Sequence, residues 1–205
     1  MTSNPILQVT ERNNEPLKMT NTSGISTKQI RDMNDDRLLT SEELDELKII
    51  YPGCRDDKSL NDYRELRTKL LKKSDNKNFI CMVSSTNEGS GTSHIVVNLA
   101  ASIALEPSKT ALIIDCNSYT PSLHNYLKEK PQFGLSNFLE QDTQEIGDLI
   151  YPSGIRRIRI IPYGDKTENA AENFSSEKME LFIRMIKKRY PDRFIILDTP
   201  PSDSM

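Results

Sequence analysis

Three short apolar runs constrain this chain more than any other feature. They are Phe79-Ile80-Cys81-Met82-Val83, Ala111-Leu112-Ile113-Ile114-Asp115 and Phe194-Ile195-Ile196-Leu197-Asp198. Each is too short for a stable helix and lacks polar alternation, the pattern of a strand buried on both faces of a sheet. Helical periodicity fills the gaps between them. Residues 93–105 predict a helix, 122–128 and 136–140 two short ones, and 176–189 an amphipathic one with Met179, Phe182, Ile183 and Ile186 on one face. Residues 155–161 predict a fourth strand, whose alternating arginines suggest a wetter face or a sheet edge. Strands alternating with helices predict an α/β fold, a mainly parallel sheet flanked by helices.

The chain before the first run is of another kind. Residues 1–39 are rich in Asn, Thr, Ser and charge and predict a disordered tail. The apolar fraction of 36 % is low against the roughly 45–50 % of globular chains, so part of the chain is expected outside the core. Thr40-Ser41-Glu42-Glu43 has the form of a capping box, with Leu44, Leu47 and Ile50 on one helical face. Tyr51-Pro52-Gly53 ends that helix. Ser59 is placed to cap a second helix, running to about Lys73 with Leu60, Tyr63, Leu66, Leu70 and Leu71 as its stripe. The expected organisation is a tail over 1–39, a helical segment over 40–75, and an ATPase-like domain over 76–205. Only seven residues follow Asp198, and four strands make a small open sheet, so C-terminal strands are expected to be missing.

Charge and cysteine usage exclude several classes. With 27 basic and 30 acidic residues the net charge is −3, which offers no general attraction to nucleic acid. Cys54, Cys81 and Cys116 form no CxxC pair, so no metal-ligand spacing is present, and reduced cysteines suit a cytoplasmic location. The longest apolar stretch, residues 95–105, falls short of the ~20 that a membrane span needs. Any attachment to the inner membrane face is therefore expected to run through a partner.

The chemistry concentrates between the first run and the helix that follows it. Val83-Ser84-Ser85-Thr86-Asn87-Glu88-Gly89-Ser90-Gly91-Thr92-Ser93 joins a strand to a helix, where a phosphate-binding loop belongs. Against G-x-x-x-x-G-K-[ST], Gly91 and Ser93 keep their positions, Thr86 replaces the first glycine and Thr92 the lysine. Taken alone, such a stretch is more often just a turn. Two aspartates change its weight. Asp115 and Asp198 close the second and last apolar runs, and ligands of parallel sheets bind at the carboxyl ends of strands. Gly89, Ser90, Gly91, Thr92 and Ser93 are thus candidate nucleotide-binding residues, Ser93, Asp115 and Asp198 candidate Mg²⁺ ligands, and Asp115 and Asp198 candidate catalytic residues.

In this order these segments resemble the bacterial tyrosine kinases, a branch of the deviant P-loop ATPases. Tyr63-Arg64-Glu65-Leu66-Arg67-Thr68 is similar to the family's E-x-x-R-x-L-R-T helix. Asn98-Leu99-Ala100 matches its N-L-A, Leu112-Ile113-Ile114-Asp115 with Pro121 its L-L-I-D-x-D-x-R-x-P, and Phe133-Gly134-Leu135 its P-G-L segment. Arg189-Tyr190-Pro191-Asp192-Arg193-Phe194 leading to Asp198-Thr199-Pro200-Pro201 resembles the branch found with exosortase and exopolysaccharide gene clusters. The resemblance implies ATP and Mg²⁺ as cofactors and tyrosine autophosphorylation as activity. It also implies a role in capsule or exopolysaccharide biosynthesis and export, with a membrane adaptor of the chain-length-regulator type as partner. Arg64 and Arg67 correspond to the oligomerisation motif, which implies a homo-oligomer.

The departures fall on charge. Thr92 removes the loop cation, Asn117 replaces the second acidic residue, Tyr119 the arginine, and Asn61 the glutamate of the oligomerisation motif. Phosphoryl transfer relies on placed positive charge, so the expected protein is a weak or inactive kinase, a pseudokinase that regulates. The alternatives are an active autokinase completed by a partner, or a partition or septum-type ATPase.

Overall fold

A computed structural model describes residues 38–140, 145–191 and 193–202. The tail expected over 1–39 lies almost wholly outside the described residues. The elements run α1 (Ser41–Glu46), α2 (Asp57–Lys73), β1 (Ile80–Val83), α3 (Thr92–Ala104), β2 (Thr110–Asp115), a 3₁₀ turn (Leu123–Tyr126), α4 (Leu135–Glu140), a second 3₁₀ turn (Ile146–Leu149), β3 (Tyr151–Pro152), β4 (Ile158–Ile161), α5 (Ala170–Phe174), α6 (Glu177–Arg189) and β5 (Arg193–Asp198).

The five strands form one sheet in the order β1-β5-β2-β4-β3. Every pairing is parallel except β3 with β4. The strand period of two sends alternate residues to opposite faces. Ala111, Ile113, Ile158, Ile160, Phe194 and Ile196 pack on one side with α3, Leu60 of α2 and the loop residues Ile49, Ile50 and Cys54. Leu112, Ile114, Ile161 and Ile195 pack on the other with α4, Phe182 and Ile186. The sheet is therefore sandwiched between two helical layers, as its apolar strands require.

Several local expectations change. The run 79–83 is not buried on both faces: β1 is the sheet edge, and Met82 is 66 % exposed. The arginine-bearing strand β4 lies inside the sheet, covered by β3, with Ile158, Ile160 and Ile161 buried. Its arginines lie mostly off the ladder: Arg156 precedes it, and Arg157 takes a left-handed φ of 62° and donates to the Ala104 carbonyl. The first capping box is present, with the Glu43 N–H on the Thr40 hydroxyl and the Thr40 N–H on the Glu43 carboxylate. That helix stops at Glu46, so Leu47 is exposed rather than on a packed face. Asp56, not Ser59, caps α2, accepting from the Ser59 N–H at 3.0 Å.

Asn98, fully buried in α3, joins the N-terminal segment to the core. Its Oδ1 accepts from the Ile50 N–H at 2.8 Å and its Nδ2 donates to the Lys48 carbonyl at 3.2 Å. The helical segment expected over 40–75 thus packs into the same core as the sheet.

Candidate functional site

The loop 84–91 leaves β1 and turns into α3 at Gly91, whose φ of 77° is the left-handed region that glycine enters without strain. No side chain caps α3. Its first-turn N–H groups and the positive end of its dipole are left to an anion. The loop holds its own shape: the Ser85 and Ser90 hydroxyls both donate to the Asn87 carbonyl, at 2.9 and 2.6 Å. It is also tied to the segment after β5, because Ser202 N–H donates to the Ser85 carbonyl and Ser84 Oγ to the Pro200 carbonyl.

A cavity of about 370 Å³ opens over this loop. Gly89, Ser90, Gly91, Thr92 and Ser93 line it together with Glu88, His94, Asn117, Thr120, Ser122, Tyr126 and Thr199. All five loop residues singled out from the sequence therefore share one cavity. Among its described lining residues there is no lysine or arginine.

Asp115 and Asp198 are register partners on the adjacent strands β2 and β5, and both are fully buried. Asn117, two residues beyond Asp115, and Thr199, next to Asp198, line the cavity. The two carboxylates are placed differently. Asp115 accepts three backbone N–H groups, from Asn117 (3.0 Å), Ser122 (3.2 Å) and Leu123 (3.1 Å). Among the described residues, Asp198 has no hydrogen bond of normal geometry on either oxygen.

Burial and then the neighbouring Asp198 charge push Asp115 up to about 7, against the pull of its three donors. Burial pushes Asp198 up to about 6, opposed by the nearby Ser93 hydroxyl. Two buried carboxyls side by side release their protons as a pair. An orphaned buried carboxylate beside a serine hydroxyl and an uncapped helix start fits a hard, oxygen-seeking cation next to a phosphate chain. Ser93 and Asp198 would hold such a cation. Asp115 is already committed to shaping the 116–123 turn and would act through charge.

The remaining positions serve other ends. Asn117 builds a turn, its Oδ1 accepting from the Tyr119 and Thr120 N–H groups. Arg67 of α2 donates to the Ser102 carbonyl at 2.8 Å, and Arg64 reaches Asn61 at 3.5 Å. Neither arginine reaches the cavity. Two features have no signal in the sequence: the clamp that Asn98 makes onto Ile50 and Lys48, and the exposure of Tyr119.

No protein-family model matches the chain. Relatives and solved structures do. The chain is 28 % identical over 156 residues to the tyrosine-protein kinase CpsD of Streptococcus agalactiae, covering 76 % of this chain and 66 % of that one. It is 25 % identical over 192 residues to the putative tyrosine-protein kinase EpsB of Ralstonia nicotianae, covering 91 % of this chain and 25 % of the relative. The kinase domain of Escherichia coli tyrosine kinase ETK superposes with a TM-score of 0.68 at 25 % identity, over 82 % of this chain and 68 % of that one. The VpsO kinase domain does so with a TM-score of 0.61 at 26 % identity, over 73 % of each. The chain thus spans slightly less than two thirds of CpsD and a quarter of EpsB. By order of motifs, fold and these likenesses, the chain is similar to the bacterial tyrosine-protein kinases.

Proposed function

We propose that this chain is a kinase-like regulatory domain that binds Mg·ATP weakly and transfers phosphate slowly or not at all. In this reading it serves capsule or exopolysaccharide biosynthesis at the inner membrane face, through a membrane adaptor. The observation that carries it is a cavity over the loop with no lysine or arginine among its described lining residues, close to Asp198, a buried carboxyl with the Ser93 hydroxyl nearby and no hydrogen bond of normal geometry among the described residues. A helix start and a carboxylate–serine pair suffice to attract a magnesium–phosphate group. They do not neutralise the charge that develops during transfer. Relatives named as tyrosine kinases support the nucleotide class, and the polysaccharide role follows from the motif resemblance. No helix among the described residues is long and apolar enough to cross a membrane, which is consistent with attachment through a partner.

The test is to restore the cation. Thr92→Lys is expected to raise phosphotyrosine formation from Mg·ATP by on the order of 10²–10³, the usual effect of one transition-state contact. Wild-type protein matching that variant in a phosphotyrosine assay would contradict the reading and favour an active autokinase.

A further inference from the structure

A second cavity, of about 260 Å³, lies beyond the carboxyl end of β4 and shares no lining residue with the cavity over the phosphate loop. Its walls are the 130–133 loop before α4 and the 162–166 loop after β4, closed by Pro121 and His124. Both walls are held in place. Leu135 and Ser136 donate their N–H groups to the Pro162 and Tyr163 carbonyls, at 2.9 and 2.7 Å. Asn137, buried in α4, accepts the Gly134 N–H on Oδ1 and donates from Nδ2 to Asp165 at 2.7 Å. The Tyr151 hydroxyl accepts from the Gln132 and Phe133 N–H groups. A ligand therefore meets walls already ordered, which removes one of the costs of binding.

The lining has two kinds of chemistry. Lys130 and Lys166 come from opposite walls and are exposed. Neither makes an ion pair among the described residues. Two ammonium groups without a carboxylate partner, beside His124, attract an anion, and lysine is an established phosphate ligand. Pro121, Pro131, Phe133 and Pro162 supply apolar surface, against which the C–H face of a ring packs. Asp165 lines the same cavity; one of its oxygens accepts from Asn137, and the other is left for a hydroxyl donor. That carboxylate repels a ligand that is anionic throughout and suits a polyol with its charge at one end. The volume lies just below the ~300 Å³ at which pockets for drug-sized ligands begin, which points to a single ring.

We propose that this cavity binds a monosaccharide phosphate. Lys130 and Lys166 hold the phosphate, Pro131 and Phe133 pack on the apolar face of the ring, and Asp165 accepts a ring hydroxyl. The site does not depend on the nucleotide reading, because no residue of the phosphate loop takes part in it.

The experiment is isothermal titration of the purified protein with glucose 1-phosphate, with glucose and inorganic phosphate as separate arms. Glucose 1-phosphate should bind at millimolar concentration or below, and each separate arm about tenfold more weakly or less. The double variant Lys130→Ala with Lys166→Ala should lose on the order of 10–10² in affinity while its melting temperature is unchanged. The double variant Ser93→Ala with Asp198→Asn should bind the sugar phosphate as the unmodified protein does. No heat at millimolar glucose 1-phosphate overturns the proposal, as does undiminished binding without the two lysines. Inorganic phosphate binding as tightly as glucose 1-phosphate would reduce the site to an adventitious ion only and overturn it too. Loss of binding in the Ser93 and Asp198 variant would move the ligand to the phosphate loop, with the same consequence. Mg·ATP titration of the lysine variant reads the nucleotide site separately: unaltered binding there supports two independent cavities, and absent binding in both proteins retires the nucleotide reading while the sugar-phosphate result stands.

Discussion

At the scale of single residues, the paired aspartates set the pH behaviour. An unfolded aspartate titrates near ~3.9, whereas burial and their mutual charge push the Asp115–Asp198 pair up, to about 7 and about 6. Raised carboxyls favour the folded state while protonated. Their contribution is full below about pH 4 and is lost as pH rises through 6 to 7. Glu43, Asp56 and Glu106 are shifted down by hydrogen bonds and act in the opposite direction, near pH 4, but Asp56 is exposed, Glu43 and Glu106 are only half-buried, and such pairs are weak. Thermal unfolding of the metal-free protein should therefore be hardest near pH 5 and easier at pH 8. Asp198→Asn should flatten that slope, gaining on the order of 1–3 kcal/mol at pH 8 by removing an unpaired buried charge. A stability that rises steadily from pH 5 to 8 would contradict the arrangement. Asn98 offers a second residue-scale test. Asn98→Ala leaves the buried Ile50 N–H without its acceptor, at a cost of about 1–3 kcal/mol, readable as a lower denaturant midpoint.

At the scale of elements, close approach decides what substitutions are tolerated. Leu135 and Ser136 at the start of α4 donate to the Pro162 and Tyr163 carbonyls beyond β4. A Cβ on Gly134 would fall within contact distance of the Gly164 backbone. Gly134→Ala should thus destabilise the protein by about 1–3 kcal/mol, the range for overpacking, and a neutral denaturation midpoint would show that the two segments part easily. The same scale shows what could be read beforehand. Strands β1, β2 and β5 and helices α3 and α6 were legible because their apolar periods are unambiguous. The exposure of Met82 was not, since an apolar run does not say whether a neighbouring strand covers it. The two residues of β3, one of them Pro152, carry no period at all. Asp56, Asp57 and Ser59 are all capping types, so sequence could not choose among them. In the candidate site, Gly91, Ser93, Asp115 and Asp198 were legible from strand ends and loop spacing. The unsatisfied carboxyl of Asp198 among the described residues and the exposure of Tyr119 depend on packing across distant segments and left no local signal.

At the scale of the whole molecule, a parallel sheet brings the ends of β1, β2 and β5 to one rim and joins them to an uncapped helix. That architecture suits a nucleotide, and under the proposed function the lack of a lysine or arginine among the cavity's described lining residues limits what it can do with one. Isothermal titration with Mg·ATP tests this most directly. The expected result is weak, magnesium-dependent binding that disappears in Asp198→Ala while the variant remains folded. Binding of equal strength with and without the Asp198 carboxylate, or no heat at millimolar Mg·ATP, would contradict it.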